Sequence, residues 1–112
     1  MEVIIKEKRK ERIQNWNFFK KNHELNKKLS LRMSQLESSP TLYDLSLLPQ
    51  LRMHTLSWNR EYEIAIDITK TSWYRITFKC LDWAEDLMND FLNTEKYKTV
   101  TKIEIIEIWD YH

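Results

Sequence analysis

The spacing of apolar residues changes near Leu51, from about 3.6 to 2, and the change divides the chain into a helical first half and a stranded second half. Glu2 to Lys6 reads as a short opening strand. The charged segment after it carries Ile13, Trp16 and Phe19 at one-turn spacing, which predicts an amphipathic helix. After Asn22, the residues Leu25, Leu29, Met33 and Leu36 make one apolar stripe, so a second helix runs until Ser38-Ser39-Pro40 stops it. Thr41 with Asp44 three positions later has the form of a capping box and predicts a single helical turn, closed by Pro49.

Beyond Leu51 the alternation takes over. Tyr62, Ile64, Ile66 and Ile68 fall on one side of a strand, and Tyr74, Ile76, Phe78 and Cys80 alternate with Trp73, Arg75, Thr77 and Lys79 on the next. Both read as half-buried antiparallel strands. Asp82 with Glu85, followed by Trp83, Leu87, Met88, Phe91 and Leu92, has helical spacing, so residues 82–93 are expected to form an extra helix before the last strand. That strand runs to the end of the sequence, and its adjacent Ile105 and Ile106 break the alternation, which predicts a β-bulge. The fold class is α+β, in one domain spanning 1–112.

Composition and charge narrow the function classes. With 42% apolar and 31% charged residues the chain is too hydrophobic to be disordered. The basic run Lys6 to Arg12 follows the apolar Val3-Ile4-Ile5 instead of preceding it, the reverse of a signal peptide, and no apolar stretch is long enough to span a bilayer. The single Cys80 cannot form an internal disulfide, and no His/Cys set has zinc-ligand spacing, so a cytoplasmic protein without metal or cofactor is expected. The net charge of +1 hides an asymmetry: residues 1–32 carry ten Lys/Arg against four Glu, and the remainder is acidic. A polyanion or an acidic partner for the amino-terminal third fits that asymmetry, as does a solvated helix face.

Candidate chemistry gathers in three strands. Arg52-Met53-His54 carries one histidine, Trp73-Tyr74-Arg75-Ile76-Thr77-Phe78 carries an arginine, and the sequence ends Asp110-Tyr111-His112. These groups respectively titrate near neutral pH, grip phosphate oxygens, and accept a proton or stack on a base. Read singly, His54 is an ordinary strand histidine, Arg75 a polar-face residue, Tyr111 a core residue and His112 a chain end.

Taken together with the preceding L-x-x-L-P turn, the order R-M-H-x-L, W-Y-R-I-T-F and terminal D-Y-H resembles the HigB branch of the RelE/ParE toxins of bacterial toxin–antitoxin systems, over roughly Leu29 to Cys80 and Ile103 to His112. The resemblance implies a RelE/HigB-like fold: an N-terminal strand and two helices packed on a small antiparallel sheet, here with the inserted helix. It implies an endoribonuclease that cleaves messenger RNA in the ribosomal A site by transfer of a 2′-hydroxyl onto the adjacent phosphate, neutralised by a cognate helix-turn-helix antitoxin. His54 and His112 become the acid and base, in an order left open; Arg75 balances phosphate charge, Asp110 tunes a neighbour and Tyr111 contacts the nucleotide. Lys8, Arg9, Lys10 and Arg12, with Arg52 and Arg60, are expected to contact RNA phosphates.

The sequence departs from the family twice. Where the family has a lysine three residues after the first histidine, this chain has Ser57-Trp58, and Ala65 stands where the following strand often has an arginine. Arg60 and Lys70 are candidates to replace these cations. Two other readings stay open: a catalytically weakened or inactive binding protein on the same scaffold, acting on the ribosome, gyrase or another partner, and an interaction protein whose working surface is the inserted Trp83–Leu92 helix.

Overall fold

The computed structural model describes residues 1–15, 17–56, 63–70, 74–81 and 94–110. Among them the elements run β1 (Glu2–Ile4), α1 (Glu7–Gln14), α2 (His23–Ser38), α3 (Leu42–Ser46), a 3-10 turn at Pro49–Leu51, β2 (His54–Thr55), β3 (Glu63–Asp67), β4 (Tyr74–Cys80), a 3-10 helix at Thr94–Thr99 and β5 (Lys102–Asp110). The strands form one sheet in the order β1-β5-β4-β3-β2. The α+β class is as expected, with a refinement: β1 lies parallel to β5, so the sheet is mixed although its other pairs are antiparallel. A parallel pair needs a long crossover, and here both long helices and the strand meander supply it.

α2 forms where its apolar stripe and its caps agree. The Asn22 side chain accepts from Leu25 N–H at the start, and the helix stops before Pro40. Its buried Leu25, Leu29, Met33 and Leu36 join one cluster with Ile64, Ile66 and Ile68, with Ile76 and Phe78, and with Ile103 and Ile105. The stripe thus covers one side of the sheet, and alternation sends Asp67, Arg75 and Thr77 to the other register set. The Thr41–Asp44 capping box is present in both directions. α3 packs against the 3-10 helix, where Tyr97 and Val100 are buried and Leu42 N–H donates to the Val100 carbonyl.

α1 is shorter than its pattern predicts. It ends at Gln14, and Phe18 and Phe19 lie in a bent connection. The buried Asn26 side chain holds that bend, accepting from Phe19 N–H and donating to Phe19 C=O, both at 2.8 Å. The ring of Phe19 meets Tyr74 edge-on at 5.0 Å, so this aromatic packs on the sheet from a loop and not from a helix face. Trp16 and the expected helix at 82–93 lie outside the described residues.

The bulge in β5 falls where the two adjacent isoleucines predict it. Phe78 pairs with Ile105 and Thr77 with Glu107, leaving Ile106 as the extra residue. Its carbonyl accepts a 3.0 Å hydrogen bond from Arg9 Nη1 on α1. The bulge shifts the ladder phase by one, so that Trp109 comes opposite Arg75 and Asp110 opposite Tyr74.

Candidate active site

Four residues close a ring on the polar side of the sheet. The antiparallel registers set them there: His54 pairs with Ala65 across β2 and β3, and two positions along β3, Asp67 pairs with Arg75 of β4. Arg75 Nη1 lies 3.1 Å from His54 Nε2, and His54 Nδ1 lies 2.8 Å from the Arg52 carbonyl. Arg52 Nη1 stands 3.5 Å from Asp67 Oδ2, and Arg75 Nε 3.5 Å from Asp67 Oδ1.

The donors around the imidazole assign its hydrogen-bond roles. A guanidinium only donates, so Nε2 must be the bare acceptor nitrogen facing Arg75. The proton therefore sits on Nδ1 and is donated to Arg52 C=O. In this arrangement the Nε2 edge of His54 is covered by an arginine.

Arg52 reaches two sides of this ring because of its backbone. It follows the Pro49–Leu51 turn with φ 47° and ψ 47°, a left-handed conformation that costs a non-glycine residue about 1–2 kcal/mol. The strained turn directs its carbonyl to His54 while its side chain, 65% exposed, passes over an Asp67 side chain that is 4% exposed. Strain of this kind persists where surrounding contacts over-determine it.

Asp67 is a buried carboxylate among cations. Besides Arg52 and Arg75, the buried Arg32 of α2 donates Nε to the Asp67 backbone carbonyl at 3.0 Å and Nη1 to Gln35 at 2.9 Å. Burial draws the Arg32 guanidinium below the ordinary arginine range, opposed by the attraction of Asp67. Among the described residues, Arg52 and Arg75 pair with the Asp67 carboxylate while Arg32 holds its backbone carbonyl, and guanidinium groups of this kind are suited to a phosphate. The ion pairs to Asp67 are longer than the usual 2.7–2.9 Å of a charged hydrogen bond, and among the described residues none hydrogen-bonds Oδ1. The carboxylate is held by charge, loosely in geometry.

The other predicted residues divide. Asp110 ends β5 opposite Tyr74, one ladder position beyond the Arg75–Trp109 pair, so the backbone of the terminal segment runs beside Arg75. Tyr111, His112 and Arg60 lie outside the described residues, as do Ser57 and Trp58. Ala65 occupies the ladder position beside His54, and Arg52 supplies a cation to the same cluster from the neighbouring turn. Lys70 is in the β3–β4 connection and lines a cleft with Lys28, Arg32 and Tyr74.

Among the basic residues of α1, Lys8 and Lys10 are exposed, whereas Arg9 caps the β5 bulge and Arg12 donates to Phe18 C=O at 2.9 Å with its guanidinium over the Phe18 ring. Two of the four are thus held by structural contacts. A basic cleft of about 910 Å³, lined by Arg12, Lys20, Lys21 and His23 with Phe19, lies where α1 gives way to α2. The charge asymmetry of the sequence signals this region, but not that Lys20 and Lys21 turn into it.

Asp67 is the functional candidate that the sequence pattern hides. A carboxylate ending an apolar strand is usually its solvated end, and only its register opposite Arg75 marks it otherwise.

Neither a family model nor a curated protein sequence matches this chain. Among solved structures, a YoeB/ParE toxin from Agrobacterium tumefaciens aligns over 100% of both chains with a TM-score of 0.53 and 9% sequence identity. The two proteins share a fold. At that identity the likeness concerns the path of the backbone, and function has to be argued from the site.

Proposed function

We propose that the protein is the toxin of a type II toxin–antitoxin system, of the HigB kind, acting as a ribosome-dependent endoribonuclease on messenger RNA in the A site. The observation that carries this reading is His54, with Nε2 3.1 Å from Arg75 Nη1 and Nδ1 2.8 Å from the Arg52 carbonyl, beside the guanidinium groups of Arg75 and Arg52. That is a general base next to phosphate-binding cations, on a fold shared with a YoeB/ParE toxin.

In the proposed reaction His54 Nε2 takes the proton of the 2′-hydroxyl. The 2′-oxygen then attacks the adjacent phosphorus, and Arg75 and Arg52 stabilise the charge gathering on the phosphorane oxygens. The bond from phosphorus to the 5′-oxygen breaks with its electron pair on that oxygen, which takes a proton from an acid. His112 is the proposed acid, with Asp110 tuning it and Tyr111 against the base. No water is consumed, and no metal or cofactor enters. Each proton transfer contributes about 10²- to 10⁴-fold. Arg52, a phosphate contact on this reading, stands in for the cations missing at Ser57 and Ala65. Lys8, Lys10, Lys20 and Lys21 hold ribosomal RNA by contacts that weaken with salt. A helix-turn-helix antitoxin is the proposed neutralising partner, and the cytoplasm the proposed location.

The products test the chemistry directly. RNA cut by this route carries a 2′,3′-cyclic phosphate and a 5′-hydroxyl, so polynucleotide kinase labels the downstream fragment without prior phosphatase. Fragments that need phosphatase treatment first would exclude the 2′-hydroxyl as nucleophile.

One observation favours a second reading, a binding protein with weakened catalysis. Asp67 offsets part of the cationic charge, and Ala65 puts a methyl beside His54. On that reading the protein binds ribosomes and yields no fragments.

A further inference from the structure

We propose that His54 is a phosphate-gated base and that Asp67 is the positioning residue on which the gate turns. In the free protein Arg75 Nη1 covers the Nε2 lone pair at 3.1 Å, so His54 cannot take a proton from anything else. The same guanidinium is anchored at its other end, where Nε faces Asp67 Oδ1 at 3.5 Å. A phosphodiester entering the cluster offers the Arg75 guanidinium an anion beside His54. Its Nη end pivots towards the phosphate while Nε stays against Asp67, and Nε2 is uncovered only when the scissile phosphate has arrived.

The details of the ring favour a pivot over a fixed strut. Asp67 is 3% exposed, so its charge acts in a medium where it is weakly screened. Yet both of its side-chain ion pairs stand at 3.5 Å, and none of the described residues hydrogen-bonds Oδ1. Such slack leaves room for a guanidinium to rotate and tighten on substrate, as catalytic hydrogen bonds that are long in a free enzyme do. Arg52 is held separately on Oδ2, and its carbonyl keeps the Nδ1 proton in place. The imidazole therefore retains the tautomer needed by a base when Arg75 moves. Arg32 braces the β3 backbone from beneath through the Asp67 carbonyl, so the pivot itself stays put.

The inference rests on the proposed cleavage for its kinetic readout, and its first test does not need that activity. In ¹⁵N-histidine-labelled protein at neutral pH, His54 is expected as the Nδ1–H tautomer with Nε2 as a hydrogen-bond acceptor. Titration with inorganic phosphate, and with a 2′-deoxy dinucleotide that cannot be cleaved, is expected to move the Nε2 resonance and leave Nδ1 in place. Arg75→Lys is expected to abolish that response. A free protein with the proton on Nε2, or an Nε2 resonance unmoved by either probe, overturns the gate whether or not the protein cuts RNA.

Asp67→Asn supplies the kinetic arm. Removing a negative charge makes the cluster more cationic, so KM is expected to stay level or fall, while kcat drops by about tenfold or more as Arg75 loses its anchor. A rise in KM with unchanged kcat, or unchanged kinetics in a folded variant, would reject Asp67 as the positioning residue. An intact NMR response without any cleavage would retain the gate and reject the nuclease reading.

Discussion

Replacing Arg9 by methionine separates two roles that the sequence alone cannot distinguish. Methionine keeps a long unbranched stem and a comparable helix propensity, so α1 itself is little disturbed. What is lost is the 3.0 Å hydrogen bond from Arg9 Nη1 to the Ile106 carbonyl, part-buried at the β5 bulge. A hydrogen bond from a charged donor is worth about 1.5–3 kcal/mol, and the partial exposure puts this one near the lower end, about 1.5 kcal/mol. For a chain of 112 residues, at about 4 °C per kcal/mol, the melting temperature should fall by about 6 °C. The bulge also sets which β5 residues come opposite Arg75, so cleavage should fall by more than the stability loss explains.

RNA affinity measured against salt supplies the contrast. Each phosphate contact contributes about 0.7–0.9 to the slope of log affinity on log salt. Arg9→Met is expected to leave that slope unchanged, whereas Lys8→Ala should lower it by about one contact and leave the melting temperature alone. An Arg9→Met protein with an unchanged melting temperature and a slope reduced by about 0.8 would refute the assignment of Arg9 to the bulge.

Other consequences follow from the same contacts. Asn26→Ala removes both hydrogen bonds to the Phe19 backbone and should destabilise the fold by about 2 kcal/mol, read by denaturant midpoint, with the Phe19–Tyr74 contact loosened. Thr41→Ala breaks the α3 capping box and should cost about 1 kcal/mol, detectable in the same assay. Tyr97 is buried, and burial, with a smaller contribution from Cys80, raises its phenol above the usual range. The folded protein then holds that proton more tightly than the unfolded chain does. Its contribution to stability is complete below a pH of about 10 and is lost as pH rises towards the folded value. Tyr97→Phe should flatten this alkaline decline, and an unaltered decline in the variant would count against the burial effect.

The parts legible in the sequence are those fixed by neighbours along the chain. The α2 stripe, the Thr41–Asp44 box and the doubled isoleucine of the bulge each involve residues within one or two turns or a single strand, where periodicity and capping chemistry act directly. What the sequence misses depends on distant partners. α1 stops before Phe19 because Asn26, seven residues on, takes up both polar backbone groups of Phe19. The parallel β1–β5 pair joins the two ends of the described chain. Arg52 looks like one more RNA contact until a left-handed turn, which no glycine announces, ties its carbonyl to His54 and its side chain to Asp67. Asp67 itself becomes visible only through the register that sets it against Arg75. His54 and Arg75 stand out through their order along the chain, and the fold brings them within 3.1 Å.

The central claim is tested most directly by incubating the protein with a defined messenger RNA, free and on programmed ribosomes, beside His54→Ala and Arg75→Ala variants that keep their fold and their ribosome binding. The account predicts cuts in the A-site codon only when ribosomes are present, and their loss by at least about a hundredfold in either variant. Wild-type protein that binds ribosomes and leaves the messenger intact, or cuts undiminished by His54→Ala, would contradict it.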